Sequence, residues 1–174
     1  MGSEMCIRDR NFFIMKIFVV RHASAVERFL WDGDDSERPL DKMGADQSLL
    51  IAEFFSEIKI SSIYSSLAVR CQQTIWPTAR QSDVQVELSD ALFEGSTKKT
   101  IELVETLTKA ETTDGYPVLC SHGDVISELI RSLTLSGMLA PGGKGFAKAS
   151  IWELIFSSGK IESGLYHETN LDNS

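Results

Sequence analysis

The sequence predicts one α/β domain in three layers, with helices on both faces of a mostly parallel sheet that has an antiparallel edge. Compact β-branched and aromatic runs alternate with amphipathic segments of helical period, which is the pattern of repeated βαβ units. The last two apolar runs are joined by Ser157-Ser158-Gly159, which is typical of a hairpin between antiparallel strands. At 174 residues, 43% hydrophobic and 24% charged, the chain has the length and composition of a single folded domain.

The predicted strands are short apolar runs of the kind that is buried on both faces of a sheet. In order they lie at 16–21, 62–65, 84–87, 117–121, 150–156 and 160–166. Their lengths suit strands better than helices, because a buried helix needs a longer run.

The predicted helices fill the segments between the strands, at 42–57, 67 to about 80, 98–109 and 125–135. Asp41 and Thr97 are the expected N-caps of the first and third helices, since their side chains can accept from free backbone N–H groups. Pro77 is expected to kink the second helix or end it early. Apolar residues at periodic positions form the expected core, among them Leu49, Leu50, Ala52, Phe54, Phe55, Trp76, Ile101, Val104, Leu107 and Trp152.

The composition argues against several classes of protein. No apolar run reaches the ~18 to 20 residues that a membrane-spanning helix needs, so a soluble protein is expected. Seventeen Lys and Arg against 25 Asp and Glu give a net charge of -8, which opposes a general attraction to nucleic acid or an anionic membrane. Cys6, Cys71 and Cys120 form no CxxC pair, which favours a reduced, cytoplasmic compartment.

The first 14 residues differ from the rest of the chain. They match no periodicity seen later, and they lack the basic and apolar regions of a secretory signal. The run from Met5 to Arg10 has the form of a translated sequencing-adapter end, and a short disordered natural tail is the alternative. We therefore expect a non-native or disordered leader at 1–14 and a single domain at 15–174, which leaves open whether an upstream domain is missing.

Unusual polar residues follow three of the predicted strands. The first strand ends in Arg21-His22, the second runs into Ser65-Ser66 with Arg70 one helical turn further on, and the strand at 117–121 ends in His122-Gly123. Ligands of open α/β sheets bind beyond the carboxyl ends of the strands. Arginine binds phosphate oxygens bidentately, helix starts after Ser66 and Gly123 add backbone N–H donors, and neutral imidazole is a nucleophile towards phosphorus. The pattern predicts a site for a dianion such as a phosphoryl group.

These residues also carry a resemblance to a known family. The segments VRHASA at 20–25, SSLAVRCQQT at 65–74 and CSHGD at 120–124 resemble the histidine phosphatase superfamily, whose fold is called phosphoglycerate-mutase-like. The resemblance extends from Met15 to about Tyr166. Within it, WDGDDSERPLDKMG at 31–44 is similar to the SixA-type phosphohistidine phosphatases, and still more to the histidine phosphatase domain that follows a Nudix domain in some MutT-type proteins.

The resemblance implies a role for each matching residue. His22 is the expected nucleophile that becomes phosphohistidine, and His122 is the expected second histidine that binds the phosphoryl group. Arg21 and Arg70 are expected to complete the pocket. Glu94 falls where many members place the general acid, which must be protonated to act; a surface carboxylate is the alternative. The implied chemistry requires neither a metal nor a cofactor.

Four further residues are candidate substrate contacts, and three of them keep two interpretations. Arg28 is either a phosphate-facing residue or a solvated charge, and Ser24 offers its hydroxyl either to phosphate or to a cap. Gly123 can present its backbone N–H to phosphate. Trp31 either stacks on a ring of the substrate or packs in the core. Ordinary structural roles are expected for a solvated His167 and for buried, unreactive Cys71 and Cys120.

Taken together, the residues and the resemblance imply a metal-independent phosphatase that acts through a phosphohistidine intermediate. The expected substrate is a phosphohistidine protein or a small phosphomonoester. The alternatives are a nucleotide-related phosphatase, with a Nudix protein as a possible partner, and a non-catalytic module that binds phosphorylated protein. Selectivity is expected to reside in the loops at 31–37 and 137–148, and neither nucleic acid nor a membrane is an expected partner.

Overall fold

A six-stranded sheet forms the centre of the computed structural model, which describes residues 13–110 and 114–169. The strands are β1 (Ile14–Arg21), β2 (Ile60–Ser65), β3 (Val86–Leu88), β4 (Tyr116–Ser121), β5 (Ile151–Ser157) and β6 (Lys160–His167). Their spatial order is β3-β2-β4-β1-β5-β6, with parallel pairing from β3 to β1 and antiparallel pairing from β1 to β6. The predicted mostly parallel sheet with an antiparallel edge is confirmed.

Four helices cover the two faces of this sheet: α1 (Lys42–Phe54), α2 (Val69–Ser82), α3 (Thr97–Lys109) and α4 (Gly123–Leu135). On one face, Ile51 of α1 and Ile75 of α2 belong to the same buried cluster as Phe18 of β1. On the other face, Leu129 of α4 packs in a cluster with Trp152 of β5. Burying such side chains contributes about 1.5 to 3 kcal/mol each, so both faces stabilise the predicted three-layer arrangement. Within the described ranges, no helix is long and apolar enough to cross a membrane.

The start of β1 bears on the predicted leader. Residues 1–12 lie outside the described part of the chain. Ile14 pairs with Ser157 of β5, and the Phe13 carbonyl accepts a hydrogen bond from the Ser158 backbone N–H at 3.0 Å. The first strand is therefore two residues longer than the predicted one, because antiparallel pairing with β5 continues beyond the apolar run.

Helix α1 begins as predicted and buries part of the expected side, including Ala52 and its C-cap Phe55. The Asp41 carboxylate accepts from the Gly44 backbone N–H at 2.7 Å and caps the helix. Leu49, expected in the core, is 61% exposed, whereas Ile51 is fully buried. Residues two positions apart in a helix point in nearly opposite directions, so Leu49 and Ile51 cannot both face the sheet.

Helix α2 runs to Ser82, close to the expected end near residue 80. Pro77 therefore does not end it early, which was one of the two effects expected of this proline. Ile75, Thr78 and Ala79 are buried on both sides of the proline, so tertiary packing holds the helix together. Trp76 is 58% exposed and not a core residue, because the neighbouring Ile75 occupies the sheet-facing position. The N-cap of α3 is Ser96 rather than Thr97.

Candidate active site

A cavity of about 670 Å³ opens at the carboxyl ends of β1 and β4. His22 and His122 both line it and are only 7% and 1% exposed, with ring centroids 5.4 Å apart. They meet because β1 and β4 are parallel neighbours, and the His22 backbone N–H donates to the Ser121 carbonyl at 3.0 Å. The charged side chains that line the cavity are Arg21, Arg28, Arg38, Glu94, Asp124 and Lys148.

The His22 ring is held in one tautomer by its own local backbone. Its Nδ1 lies 2.9 Å from the Ala23 carbonyl oxygen, and because a carbonyl can only accept, Nδ1 carries the proton. This leaves Nε2 with a free lone pair. Burial, followed by the charges of His122, Arg70 and Arg21, lowers the pKa of His22 to about 3, although the bond to Ala23 opposes the shift. The ring is therefore neutral near pH 7 and able to act as a nucleophile.

His122 is fixed from both sides of its ring. Nε2 shares a hydrogen bond of 2.8 Å with the Ser66 hydroxyl, at the end of β2. Nδ1 lies 3.4 Å from both Arg70 Nη2 and Glu94 Oε1. Three elements thus orient one imidazole, and the ring has little freedom to rotate.

Arg21 packs directly on the start of α4. A Cβ at position 123 would lie 2.8 Å from the Arg21 guanidinium carbon, so Gly123 is needed for this close approach. The Arg21 Nη1 donates to the Phe146 carbonyl. Burial lowers the pKa of Arg21, while the charges of Tyr166 and Asp124 oppose that shift. Gly123 therefore acts in the site by leaving room for a guanidinium beside its backbone.

Arg70 is a buried charge, 1% exposed, that lies directly behind the cavity wall rather than lining it. Its Nη2 contacts Glu94 Oε1 at 2.8 Å and Asp35 Oδ2 at 3.3 Å, and its Nη1 donates to the Asp35 carbonyl at 2.8 Å. A buried charge is costly unless it is paired, and the two partly exposed carboxylates of Glu94 and Asp35 offset that cost for the guanidinium.

Two donors of these arginines are unused. Within the described residues, Nε of Arg21 and Nε of Arg70 are buried without a hydrogen-bond partner. A buried donor left unpaired costs about 1 to 3 kcal/mol. An oxyanion in the cavity beside Arg21 would offset that cost at the Arg21 Nε, so the arrangement suits an anionic ligand.

The structure separates the less certain candidates. Arg28 lines the cavity, with its side chain 73% exposed and its Nε 3.2 Å from Asp35 Oδ1. Ser24 does not reach the cavity: its hydroxyl donates to Asp41 Oδ2 at 2.7 Å, which makes it a support of the α1 cap. Trp31 does not line the cavity and is not in the core, because its Nε1 donates to the Asp34 carbonyl at 2.9 Å and its ring covers Gly33. In this structure neither side chain lines the cavity, and Ser24 takes the capping alternative.

Several residues of the site were not predicted. Asp35 Oδ1 binds Arg38 at 3.0 Å as well as Arg28, so one carboxylate serves three guanidinium groups when Arg70 is included. Partial burial raises the pKa of Asp35, but the hydrogen bond from Arg38 and the three positive charges outweigh burial and lower it. Lys148 also lines the cavity. Asp35 and Arg38 lie within the segment at 31–44, so charge alternation in that loop was the available signal.

The remaining histidine and the cysteines lie outside the cavity. His167 is not simply solvated: its Nε2 lies 2.9 Å from Glu153 Oε2, and its ring packs at 5.0 Å from that of Phe54. Cys71 and Cys120 are buried, and burial raises the pKa of the Cys120 thiol. In the ranges 13–110 and 114–169, no three His, Cys, Asp or Glu side chains are grouped to hold a metal ion.

Comparison with solved structures supports the fold. The protein histidine phosphatase SixA complexed with tungstate superposes with a TM-score of 0.69 at 23% identity, covering 88% of this chain and 95% of that one. A mycobacterial glucosyl-3-phosphoglycerate phosphatase in complex with VO3 gives 0.67 at 17% identity, covering 92% and 100%. Phosphoserine phosphatase from Entamoeba histolytica gives 0.64 at 18% identity, covering 90% and 96%. At these identities the likeness establishes the fold.

Comparison of sequences gives the family. An 8-oxo-(d)GTP phosphatase of Mycolicibacterium smegmatis is 31% identical over 151 residues, which cover 86% of this chain but 47% of the relative. The chain thus spans about half the length of that protein. The family model for the histidine phosphatase superfamily (branch 1) matches residues 17–100, which include His22, Arg70 and Glu94. Together these matches confirm the predicted membership: this chain belongs to the histidine phosphatase superfamily.

Proposed function

We propose that this protein is a metal-independent phosphatase in which the phosphoryl group is transferred to Nε2 of His22 and then to water. The observation that carries the proposal is the hydrogen bond from Nδ1 of His22 to the Ala23 carbonyl at 2.9 Å. It leaves the lone pair on Nε2, and the pKa near 3 keeps the ring neutral at physiological pH. A nucleophile of this kind needs no separate base to activate it.

The transfer runs in two steps. The Nε2 lone pair of His22 forms a bond to phosphorus while the bond from phosphorus to the leaving oxygen or nitrogen breaks on the opposite side. Glu94, on the cavity wall, first takes up a proton from solvent at the carboxylate that contacts Arg70 and then gives that proton to the leaving group. Water then attacks the phosphohistidine, Glu94 takes up a proton from that water, and phosphate and free His22 are released.

The positive groups around the cavity stabilise charge on the transferred group. Arg21 lines the cavity, and Arg70 lies behind it in contact with Glu94. His122, held by Ser66, stands opposite His22 and can contact the equatorial oxygens. Fixed donors of this kind are often the largest contribution to catalysis, because they need no reorganisation during the reaction.

The proposed substrate is a phosphohistidine protein or a small phosphomonoester, in a cytoplasmic setting. The likeness in fold to SixA supports the first. A nucleotide-related phosphatase is the second candidate, because the 31% identical relative is named an 8-oxo-(d)GTP phosphatase; a Nudix protein would then be a partner. A module that only binds phosphorylated protein would have no use for a nucleophile with a free Nε2, so we do not propose it.

The test is hydrolysis without added metal and in the presence of a chelator. The panel contains a phosphohistidine peptide, p-nitrophenyl phosphate, sugar phosphates and nucleoside mono-, di- and triphosphates. We expect His22→Asn to lower turnover at least about a thousandfold, as for other covalent nucleophiles. The matched control is His167→Asn, since that histidine lies outside the cavity, and it should retain activity.

A second readout identifies the intermediate. Rapid quenching at alkaline pH should trap a phosphoryl group that is stable to base, labile to acid and absent from His22→Asn. Turnover that survives in a folded His22→Asn protein would overturn the proposed nucleophile. Preference among the panel substrates decides between the phosphohistidine and the nucleotide candidates.

A further inference from the structure

Two exposed positive side chains of the cavity, Arg28 and Lys148, differ from the buried ones and are called the rim here. The buried Arg70 forms an ion pair with Glu94, and the negative charge of Asp124 favours the protonated form of Arg21 by raising its pKa. Arg28 forms an ion pair with Asp35, but the Asp35 carboxylate also binds two other arginines. Lys148 makes no ion pair among the residues at 13–110 and 114–169. The rim therefore presents positive charge that the protein neutralises only in part, through Asp35.

The backbone beside Lys148 is strained. Ala149 has a φ of 63°, in the left-handed region that residues other than glycine rarely adopt. It is fully buried, its N–H donates to the His22 carbonyl at 3.2 Å, and its carbonyl accepts from the Thr169 hydroxyl at 2.8 Å. Strain of this kind persists only where the surroundings impose it, and it concentrates at functional sites. Here the hydrogen bond to the His22 carbonyl holds the backbone next to Lys148 beside that of the nucleophile.

The cavity has room for more than a phosphoryl group at His22. Its volume of about 670 Å³ lies within the range of roughly 300 to 1,000 Å³ that is usual for pockets that bind small molecules. In a chain with a net charge of -8, an anionic ligand is not attracted by the protein as a whole. Positive charge on the rim must therefore act locally.

We propose that Lys148 and Arg28 form a second anion-binding subsite, which holds a second phosphoryl group of a small substrate while the first phosphoryl group lies at His22. The inference rests on the proposed function, since the first subsite is the pocket for phosphoryl transfer. It identifies the substrate class as a small molecule with two linked phosphoryl groups.

The experiment compares two probes by isothermal titration calorimetry, inorganic phosphate and methylenediphosphonate. In the second probe a methylene carbon joins two phosphoryl-like groups through P–C bonds that the enzyme cannot hydrolyse. The wild-type protein is expected to bind the diphosphonate at least about tenfold more tightly than phosphate. Lys148→Met and Arg28→Met are each expected to weaken diphosphonate binding about three- to tenfold, as for exposed charge-assisted contacts, and phosphate binding less than twofold. Lys160→Met and Arg80→Met, two exposed residues outside the cavity, are the matched controls and should change neither affinity.

Three results would overturn the inference. The diphosphonate binds no more tightly than phosphate; the rim variants weaken both probes equally, which indicates a general attraction without a subsite; or turnover of a phosphohistidine peptide falls in the rim variants as much as diphosphonate binding does, which assigns the rim to a protein substrate. His22-dependent turnover that continues alongside any of these results leaves the proposed function standing. Loss of both phosphate binding and His22-dependent turnover is the separate failure of the proposed function.

Discussion

The inner wall of the cavity and its outer edge are built in different ways. His22 and His122 are buried and lie at the ends of neighbouring parallel strands, where a hydrogen bond to the Ala23 carbonyl fixes the first ring and a hydrogen bond with the Ser66 hydroxyl fixes the second. Arg28 and Lys148 are exposed and lie in the connections between β1 and α1 and between α4 and β5, with Arg28 at the start of a three-residue 3-10 helix. Residues held by regular structure can keep the geometry that a reaction needs, whereas loops vary more easily. The comparison assigns phosphoryl transfer to the strand ends and the choice of substrate to the loops.

After loss of the nucleophile itself, removal of a buried arginine should have the largest effect. Arg70→Ala is expected to weaken competitive inhibition by inorganic phosphate by roughly 1.5 to 3 kcal/mol, or about 10- to 150-fold, because it deletes a charged hydrogen-bonding group behind the cavity. The control is Arg131→Ala, an exposed residue of α4. An unchanged inhibition constant for phosphate would show that Arg70 does not contribute to phosphate binding.

The pH dependence of stability tests the burial of His22. Its folded-state pKa, about 3, lies below the ordinary value of 6.5, so the unfolded chain binds more protons as the pH falls below 6.5. Stability should therefore decline from pH 6.5 towards pH 3, and His22 alone should account for about 2 kcal/mol of the loss at pH 5. Urea unfolding at pH 7 and pH 5 should show a smaller decline for His22→Asn than for the wild-type protein. An equal decline in both proteins would show that His22 titrates normally.

A smaller effect is expected where the inner wall meets α4. Gly123→Ala places a Cβ 2.8 Å from the Arg21 guanidinium carbon and must displace that group. We expect kcat/KM to fall about tenfold, which corresponds to about 1.4 kcal/mol, with little change in the free energy of unfolding because alanine is well tolerated in helices. Gly142→Ala is the matched control, since its Cβ would meet nothing within 4 Å. Equal kcat/KM values for the two variants would mean that the position of Arg21 is unimportant.

The smallest effect is expected for the loop tryptophan. Trp31 contacts Gly33 and the Asp34 carbonyl rather than the cavity, so Trp31→Ala should change kcat/KM less than about twofold for any substrate of the panel. Steady-state kinetics on a nucleotide and on a sugar phosphate provide the check. A large loss confined to the nucleotide would restore a stacking role for Trp31.

The parts of the fold that could be predicted are those that repeat a simple period. Strand β4 was expected at 117–121 and is found at Tyr116–Ser121, because a buried strand shows as an uninterrupted apolar run. Helix sides were harder. Leu49 and Trp76 are apolar but exposed. The positions that face the sheet are taken by Ile51 and Ile75 instead. Periodicity identifies a helix, but the contacts of its neighbours decide which side is buried.

The site shows the same division. His22 and His122 could be placed together because strand ends converge in any parallel sheet, whatever the loops do. The loop contacts could not be placed. Ser24 turns to Asp41, and Asp35 gathers three arginines, through side-chain directions that depend on the final path of the loop. The alternatives for Ser24 and Trp31 were therefore left open by the sequence for a physical reason.

Asp35 joins the loop between β1 and α1 to the phosphoryl pocket, through a carbonyl at 2.8 Å and a carboxylate at 3.3 Å from Arg70. The ordering of this loop and the binding of phosphate in the pocket therefore influence each other. If the ordered loop raises the affinity for phosphate by some factor, phosphate must favour the ordered loop by the same factor. Protection of the turn at Asp35–Glu37 from hydrogen exchange thus becomes a measure of ligand bound at His22, read at a segment that takes no part in the chemistry.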